Sequence, residues 1–89
     1  MEIEFDPIKD EANIEKHGVS LAAHGFDFDT ALISEDDRYD YGEVRLRAVG
    51  FVGARLHILI FTARGQALRA ISFRKANARE EKEYAEAHI

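Results

Sequence analysis

In "RLHILIFTARGQALRAISFR", Arg55 to Arg74, two apolar runs flank a glycine. The first run, "RLHILIFTA", is apolar on both faces, as expected of a central strand covered by other elements. "RGQ", Arg64 to Gln66, reads as a three-residue hairpin loop in which Gly65 takes the left-handed position. "ALRAISFR" then returns as a strand. By strict alternation it carries Arg69, Ile71 and Phe73 on one face and Ala70, Ser72 and Arg74 on the other. A hairpin here implies an antiparallel sheet, against which the flanking segments can be read.

Upstream, "VRLRAVGFV" is a further strand, joined by a turn at Gly53-Ala54, and "ALISED" is a short one. Between these two, "DRYDYGE" has the Asp, Tyr and Gly content of a loop. Downstream, Asn77 and Glu80 have capping-box spacing at the head of an Ala-rich helix. At the start of the chain, "FDPIKDEANIEKHG" reads as a helix with both ends marked. Asp6 caps it, Pro7 takes the first turn, Gly18 stops it, and Ile8, Ala12 and Ile14 are its expected buried stripe. "SLAAHGFDFDTA" is expected to form a second helix capped by Ser20, although Gly25 inside it costs roughly 1 kcal/mol. The expected architecture is therefore α+β: two N-terminal helices, an antiparallel sheet of three to four strands and a C-terminal helix. At 89 residues, with 46% hydrophobic, this is one domain over 1–89.

The chain has no cysteine, so disulfides, thiolate metal sites and cysteine nucleophiles are excluded. No signal peptide is visible and no run approaches the ~20 apolar residues that span a bilayer, which suggests a soluble cytoplasmic protein. The net charge of −5 conceals a division. Met1 to Glu43 has 13 acidic residues against Lys9, Lys16 and Arg38, a net of −10. From Val44 to Arg79 there are eight cations and no acid, and from Glu80 onward the net is −3.

Within the basic segment, Arg64 falls at a hairpin tip, Arg74 and Lys75 at a strand end, and Arg79 in the first turn of the last helix. Arginine presents a planar fork of donors that suits phosphate oxygens, so these four read as a phosphate-binding group. Arg45, Arg47 and Arg55 read instead as strand-edge charges. Glu80 and Tyr84 share a helix face at i, i+4. Glu80 reads first as the capping-box partner, and Tyr84 equally as a proton-transfer group or a core aromatic. Of His17, His24, His57 and His88, only His17, beside Lys16 at a helix end, is nominated for acid–base work. No pair of histidines has a metal-ligand spacing, and no nucleotide-binding glycine motif is present, so neither metal nor cofactor is expected.

Taken together, these pieces resemble the BrnT family of bacterial toxins, with a RelE-like ribonuclease fold. The resemblance rests on "FDPIKDEANIEKHGVSL", on "DDRYDYGEVR" with Asp36, Arg38, Gly42, Glu43 and Arg45, on "FTARG", and on "RAISFRKANAREEKEY". Phe5 stands where the family often has tryptophan, and Leu21 where it often has an aromatic residue. The resemblance implies a metal-independent endoribonuclease that arrests growth. It also implies a BrnA-like antitoxin partner, in a heterotetramer of two toxins and two antitoxins. It carries over His17, Glu43, Arg64, Arg74, Lys75, Arg79 and Tyr84 as candidate catalytic residues. Arg64, Arg69, Arg74, Lys75 and Arg79 are the candidate RNA-binding cations. In such chemistry the RNA 2′-hydroxyl attacks the adjacent phosphate. The protein then aligns the phosphate, stabilises developing charge and moves protons. Glu43 reads equally as a proton-transfer group or a salt-bridge partner.

A rival reading is a non-catalytic module that grips its antitoxin and acts as corepressor, because the same arginines would bind an acidic segment. Direct DNA reading is weaker, since no helix-turn-helix recognition helix is apparent. DNA contact is expected only through the antitoxin.

Overall fold

The hairpin read from the sequence is the centre of the sheet. Strands β1 (Glu2–Glu4), β2 (Leu32–Glu35), β3 (Leu46–Val52), β4 (Arg55–Arg64) and β5 (Ala67–Lys75) combine with helices α1 (Pro7–His17) and α2 (Ala78–Ala87). The structure, a computed structural model, describes residues 2–88. The five strands form one sheet in the order β1-β5-β4-β3-β2. β1 runs parallel to β5, and the other neighbours are antiparallel. Gly53 and Gly65 both have positive φ, as their tight turns require. The β4–β5 loop is tighter than expected: Arg64 still pairs with Ala67, so Gly65 and Gln66 alone make the turn. No helix among the described residues is long and apolar enough to cross a membrane.

Two layers of side chains pack against this sheet. On one face, Ala48, Leu59, Phe61, Leu68, Ala70 and Phe73 meet Leu21, Ala23 and Phe26 from the segment after α1. On the other, Val49, Leu56, Ile58 and Ile60 meet Ala76 and the half-buried Tyr84 of α2. β4 supplies both layers, which explains its apolar residues on both faces. The alternation expected of β5 is broken by a bulge. Ile60 pairs with Ser72 and Phe61 with Ala70, leaving Ile71 as the extra residue. Phe73 therefore joins Ala70 in the first layer, whereas Ile71 turns to the α2 layer.

The expectation of two N-terminal helices and three to four antiparallel strands is corrected to one N-terminal helix and a five-stranded mixed sheet. The segment expected to be the second helix has left-handed residues at Ala23 (φ 50°) and Gly25 (φ 77°), which no right-handed helix accommodates. It is instead pinned to β3: Phe26 bridges to Val52, and the Asp27 N–H donates to the Phe51 carbonyl at 2.9 Å. A glycine in β3 allows this approach. A Cβ on Gly50 would lie 2.9 Å from Phe26 Cζ and 3.0 Å from the Asp27 carbonyl oxygen. Ser20 caps no helix; its hydroxyl bonds Asp10 and accepts from the Ala22 N–H. β1 was not legible because its three residues are an edge strand, paired only with β5 at the other end of the chain.

Helix α1 has the expected ends. The Asp6 side chain accepts from the Ile8 N–H at 2.8 Å, and Gly18 closes the helix at φ 77°. Its buried stripe differs from the expected one: Ile8 is 77% exposed, and Ala12 and Ile14 are exposed too. Polar residues dock the helix instead. Asn13 is its buried residue. Its Nδ2 donates to the Phe73 and Val19 carbonyls at 2.8 Å each, and its Oδ1 accepts from the Phe73 N–H at 3.3 Å. Asp10 accepts from the Leu21 N–H at 2.6 Å. Because β1 pairs with β5 only at Ala67 to Arg69, Asn13 supplies what a strand would have given to Phe73.

Asn13→Ala is expected to lower unfolding stability by about 2–4 kcal/mol, because three backbone groups, two of them buried, lose their partner. Ile8→Ala should stay within about 0.5 kcal/mol of wild type despite removing more apolar atoms. Gly50→Ala should cost about 1–3 kcal/mol by overpacking. Urea unfolding of the three variants tests this ranking.

Candidate functional site

The docking of α1 brings Lys16 and His17, the last turn of the helix, beside β5. Cross-strand register supplies the rest. Arg47 of β3 pairs with Ile60, and Arg74 of β5 pairs with Ile58. Both arginines therefore stand on the α2 face, diagonally across β4. The loop between β2 and β3 adds Asp36, Arg38, Tyr41 and Arg45. Together these residues line a concavity of about 260 Å³ over Ile58, Ile60, Ile71 and Ser72. An adjoining hollow of about 320 Å³ shares Asp36, Arg38, Arg47 and Arg74, and is bounded by Arg79, Glu80 and Glu83.

Glu80 organises the arginines between the two hollows. Arg74 Nη1 and Nη2 each donate to its carboxylate at 2.8 Å, and Arg47 Nη2 donates at 3.1 Å. The Asn77 N–H donates to the same carboxylate while Glu80's own N–H donates to Asn77, which completes the capping box of α2. The Arg74 hydrogen bonds are the main reason that the Glu80 carboxyl is held down to about 2. Glu80 raises the Arg74 pKa in turn.

The loop has its own anion. Asp36 is buried and accepts a two-pronged contact from Arg38 at 2.8 and 3.0 Å, and the Tyr41 hydroxyl at 3.3 Å. The Arg38 contact, more than any other, keeps the Asp36 carboxyl below its ordinary value. The Arg45 guanidinium lies 3.9 Å from the Tyr41 ring centroid, a cation–π contact, and pairs with Glu43 at 3.4 Å.

His17 differs from these paired groups. Its pKa is lowered, first by desolvation and then by the charges of Lys16 and Arg74. At neutral pH it is therefore an unprotonated imidazole in a cationic wall, able to accept a proton. Neither Lys16 nor His17 makes an ion pair with another described residue.

Of the residues nominated from sequence, the structure brings together His17 and Arg74, with Arg79 at the rim of the second hollow. Arg64 stands apart. It pairs with Ala67 at the opposite end of β5, which at roughly 3.3 Å per residue places it about 20 Å from Arg74. Arg69 lies between these two along β5, opposite Thr62. Lys75 is exposed and pairs with His57, one residue beyond Arg74. Arg79 is in an exposed ion pair with Glu83 at 3.1 Å. The Tyr84 hydroxyl donates to the Thr30 carbonyl at 2.8 Å, and its ring meets Phe51 edge-on. Glu43 serves Arg45 from outside the concavity lining. Among the described residues no group of three or more His, Asp or Glu is placed to hold a metal ion.

Sequence reasoning passed over Lys16, Arg38, Arg45 and Arg47, all of which line the concavity. For Arg47 the usable signal was strand parity: Arg45, Arg47 and Val49 alternate onto one face, and the Val49 side is the α2 layer. Lys16 and Arg38 depend on how α1 and the β2–β3 loop fold back, which no local pattern encodes.

A family model described as ribonuclease toxin, BrnT, of type II toxin–antitoxin system matches residues 5–80. No curated protein matches the chain significantly.

Glu80→Gln is expected to destabilise the protein by about 2 kcal/mol at neutral pH, since a largely buried carboxylate serves two arginines. The wild-type carboxyl has a folded pKa of about 2, below its ordinary ~4.3 when unfolded. Its stabilisation is therefore complete above about pH 5 and is lost as the pH falls from there toward 2. Denaturant midpoints measured across this window should fall less steeply in Glu80→Gln than in wild type.

Proposed function

The chain belongs to the BrnT family of ribonuclease toxins of type II toxin–antitoxin systems, and from that premise we propose that it cuts RNA, without a metal ion, in the concavity enclosed by the end of α1, the β2–β3 loop and strands β3 to β5. Membership of a type II family implies an RNA substrate and an antitoxin protein partner. The observation that carries the site assignment is that His17 and Arg74 line one hollow together with Lys16, Arg38, Arg45 and Arg47.

The residue types suit cleavage by the substrate's own 2′-hydroxyl. His17, held neutral by its surroundings, accepts the proton as the 2′-oxygen attacks phosphorus. Arg74 and Arg47, fixed from behind by Glu80, face the phosphate and stabilise the charge on its non-bridging oxygens. The bond to the 5′-oxygen breaks, and that oxygen takes up a proton for which Lys16 is a donor. The products are a 2′,3′-cyclic phosphate and a 5′-hydroxyl. Arg38 and Arg45, oriented by Asp36 and Tyr41, take neighbouring phosphates. Arg79 on one side, and Arg69 and then Arg64 along β5 on the other, offer further backbone contacts; Lys75 alternates onto the opposite face of the sheet, and Tyr84 and Glu43 hold structure around the hollow.

In this reading the net charge of −5 is no obstacle, because the local potential of the hollow governs phosphate binding. The protein works in the cytoplasm, where a BrnA-like antitoxin neutralises it in an assembly of two toxins and two antitoxins. DNA is reached only through the antitoxin.

Purified protein incubated with single-stranded RNA in EDTA should yield fragments with 2′,3′-cyclic phosphate and 5′-hydroxyl ends. Arg74→Ala should slow cleavage by roughly 10²–10³-fold and His17→Gln by roughly 10²–10⁴-fold, with the wild-type rate falling on the acid side as His17 protonates. Arg64→Ala should have a much smaller effect. Activity that requires a divalent ion, or cleavage unaffected by both His17→Gln and Arg74→Ala in folded proteins, would overturn the assignment. Induced expression of wild type alone should arrest growth, and Arg74→Ala should relieve the arrest.

A further inference from the structure

One largely exposed aromatic side chain packs only against Tyr41, a residue that lines the concavity. Tyr39 is 71% exposed. Its ring meets the Tyr41 ring edge-on, with centroids 5.8 Å apart. Tyr41 is itself committed: its hydroxyl is on Asp36, and the Arg45 guanidinium lies over its ring. Most of the Tyr39 ring surface, by contrast, faces solvent.

The loop that carries Tyr39 is closed and braced. The Asp36 N–H donates to the Arg45 carbonyl at 2.7 Å, joining its two ends. The Asp36 carboxylate, only 2% exposed, gathers Arg38 and Tyr41 from within the loop. Past the ring, the Gly42 N–H donates to Asp40 Oδ1 at 3.0 Å, and Gly42 turns the chain at φ 71°. The ring is thus presented from a preorganised support rather than from a loose tip.

We propose that Tyr39 is a stacking platform for the unpaired nucleobase adjacent to the phosphate bound in the concavity, an inference that rests on the ribonuclease reading above. The same short loop supplies Arg38 and Arg45 to the phosphate hollow and Tyr39 beside it, so one nucleotide can place its phosphate on the cations and its base on the ring. The charges around Tyr39 favour a base over a second phosphate. Asp40 follows it and Asp37 lies two residues before it, while the intervening Arg38 is drawn onto Asp36, which leaves the π-face as its attractive surface. Stacking on an aromatic ring is tolerant of base identity, so Tyr39 would strengthen binding of single strands over duplex without reading one sequence. Tyr39 acts on binding and positioning; the proton transfers remain with the groups in the hollow.

The test uses a single-stranded oligonucleotide that is 2′-O-methylated throughout, so that it binds but cannot be cut by 2′-oxygen attack. An abasic residue and, separately, fluorescent 2-aminopurine are moved along it one position at a time. With wild-type protein, one abasic position should weaken binding roughly tenfold, and 2-aminopurine at that position should be quenched on binding. Tyr39→Phe should keep both effects, and Tyr39→Ala should lose both while unfolding at the wild-type temperature. If Tyr39→Ala discriminates against the abasic position as wild type does, while Arg74→Ala weakens binding of every oligonucleotide, the stacking inference fails and the ribonuclease site stands. If Arg74→Ala binds as wild type does, the site reading fails and the inference falls with it.

Discussion

The amide of Asn13 holds the site together. Beyond Arg69, β5 has no strand on its outer side, and a bare edge there would leave the Phe73 backbone unsatisfied beneath the first core layer. Asn13 fills both roles of a missing strand, donor and acceptor, in one side chain. In doing so it fixes the rotation of α1 about its axis, and with it the placement of the turn that follows three residues later. Lys16 and His17 face Arg74 because Asn13 faces Phe73. Apolar packing does not set this orientation, since Ile8 and Ile14 point outward. The helix is thus positioned by directional hydrogen bonds, which tolerate less rotation than a greasy stripe would.

Features controlled by residues close in the chain were legible. Asp6, Pro7 and Gly18 mark α1, Asn77 and Glu80 mark the head of α2, and the β3-β4-β5 meander follows from alternation and two glycine turns. What was missed depends on distant partners. The Leu21–Phe28 stretch is apolar enough for a helix, but Gly50 of β3 opens a depression that Phe26 occupies, and the chain follows its anchor. β1 has only three residues, two of them glutamates, and no local pattern of that length is informative. The bulge at Ile71 reverses the inside-outside parity of β5 midway, so a strict period of two assigned Phe73 to the wrong company. The lining of the candidate site was half legible for the same reasons. His17 and Arg74 were nominated from their own segments, whereas Arg47 needed the cross-strand register and Arg38 the folded loop.

The division of charge along the sequence does not survive as a division in space. Acids from the leading half and from the tail return to the basic segment, Glu43 to Arg45 and Glu80 to Arg47 and Arg74, while Asp36 holds Arg38 within the leading half. These pairs do not simply neutralise the arginines. A guanidinium has five donors, and a carboxylate behind it occupies only some of them. The remainder stay oriented toward the hollow at little further cost in side-chain entropy, which is the condition under which fixed charges act most strongly on a transition state.

Glu80 also belongs to two cooperative units at once. One carboxylate closes the first turn of α2 and clamps two arginines from β3 and β5, the strands on either side of β4. Detaching the C-terminal helix from the sheet therefore withdraws the clamp from Arg47 and Arg74 in the same motion. Helix docking and the orientation of the two guanidinium groups are thereby coupled: a molecule that bound better to the undocked helix would also release Arg47 and Arg74, in proportion to its preference for that state.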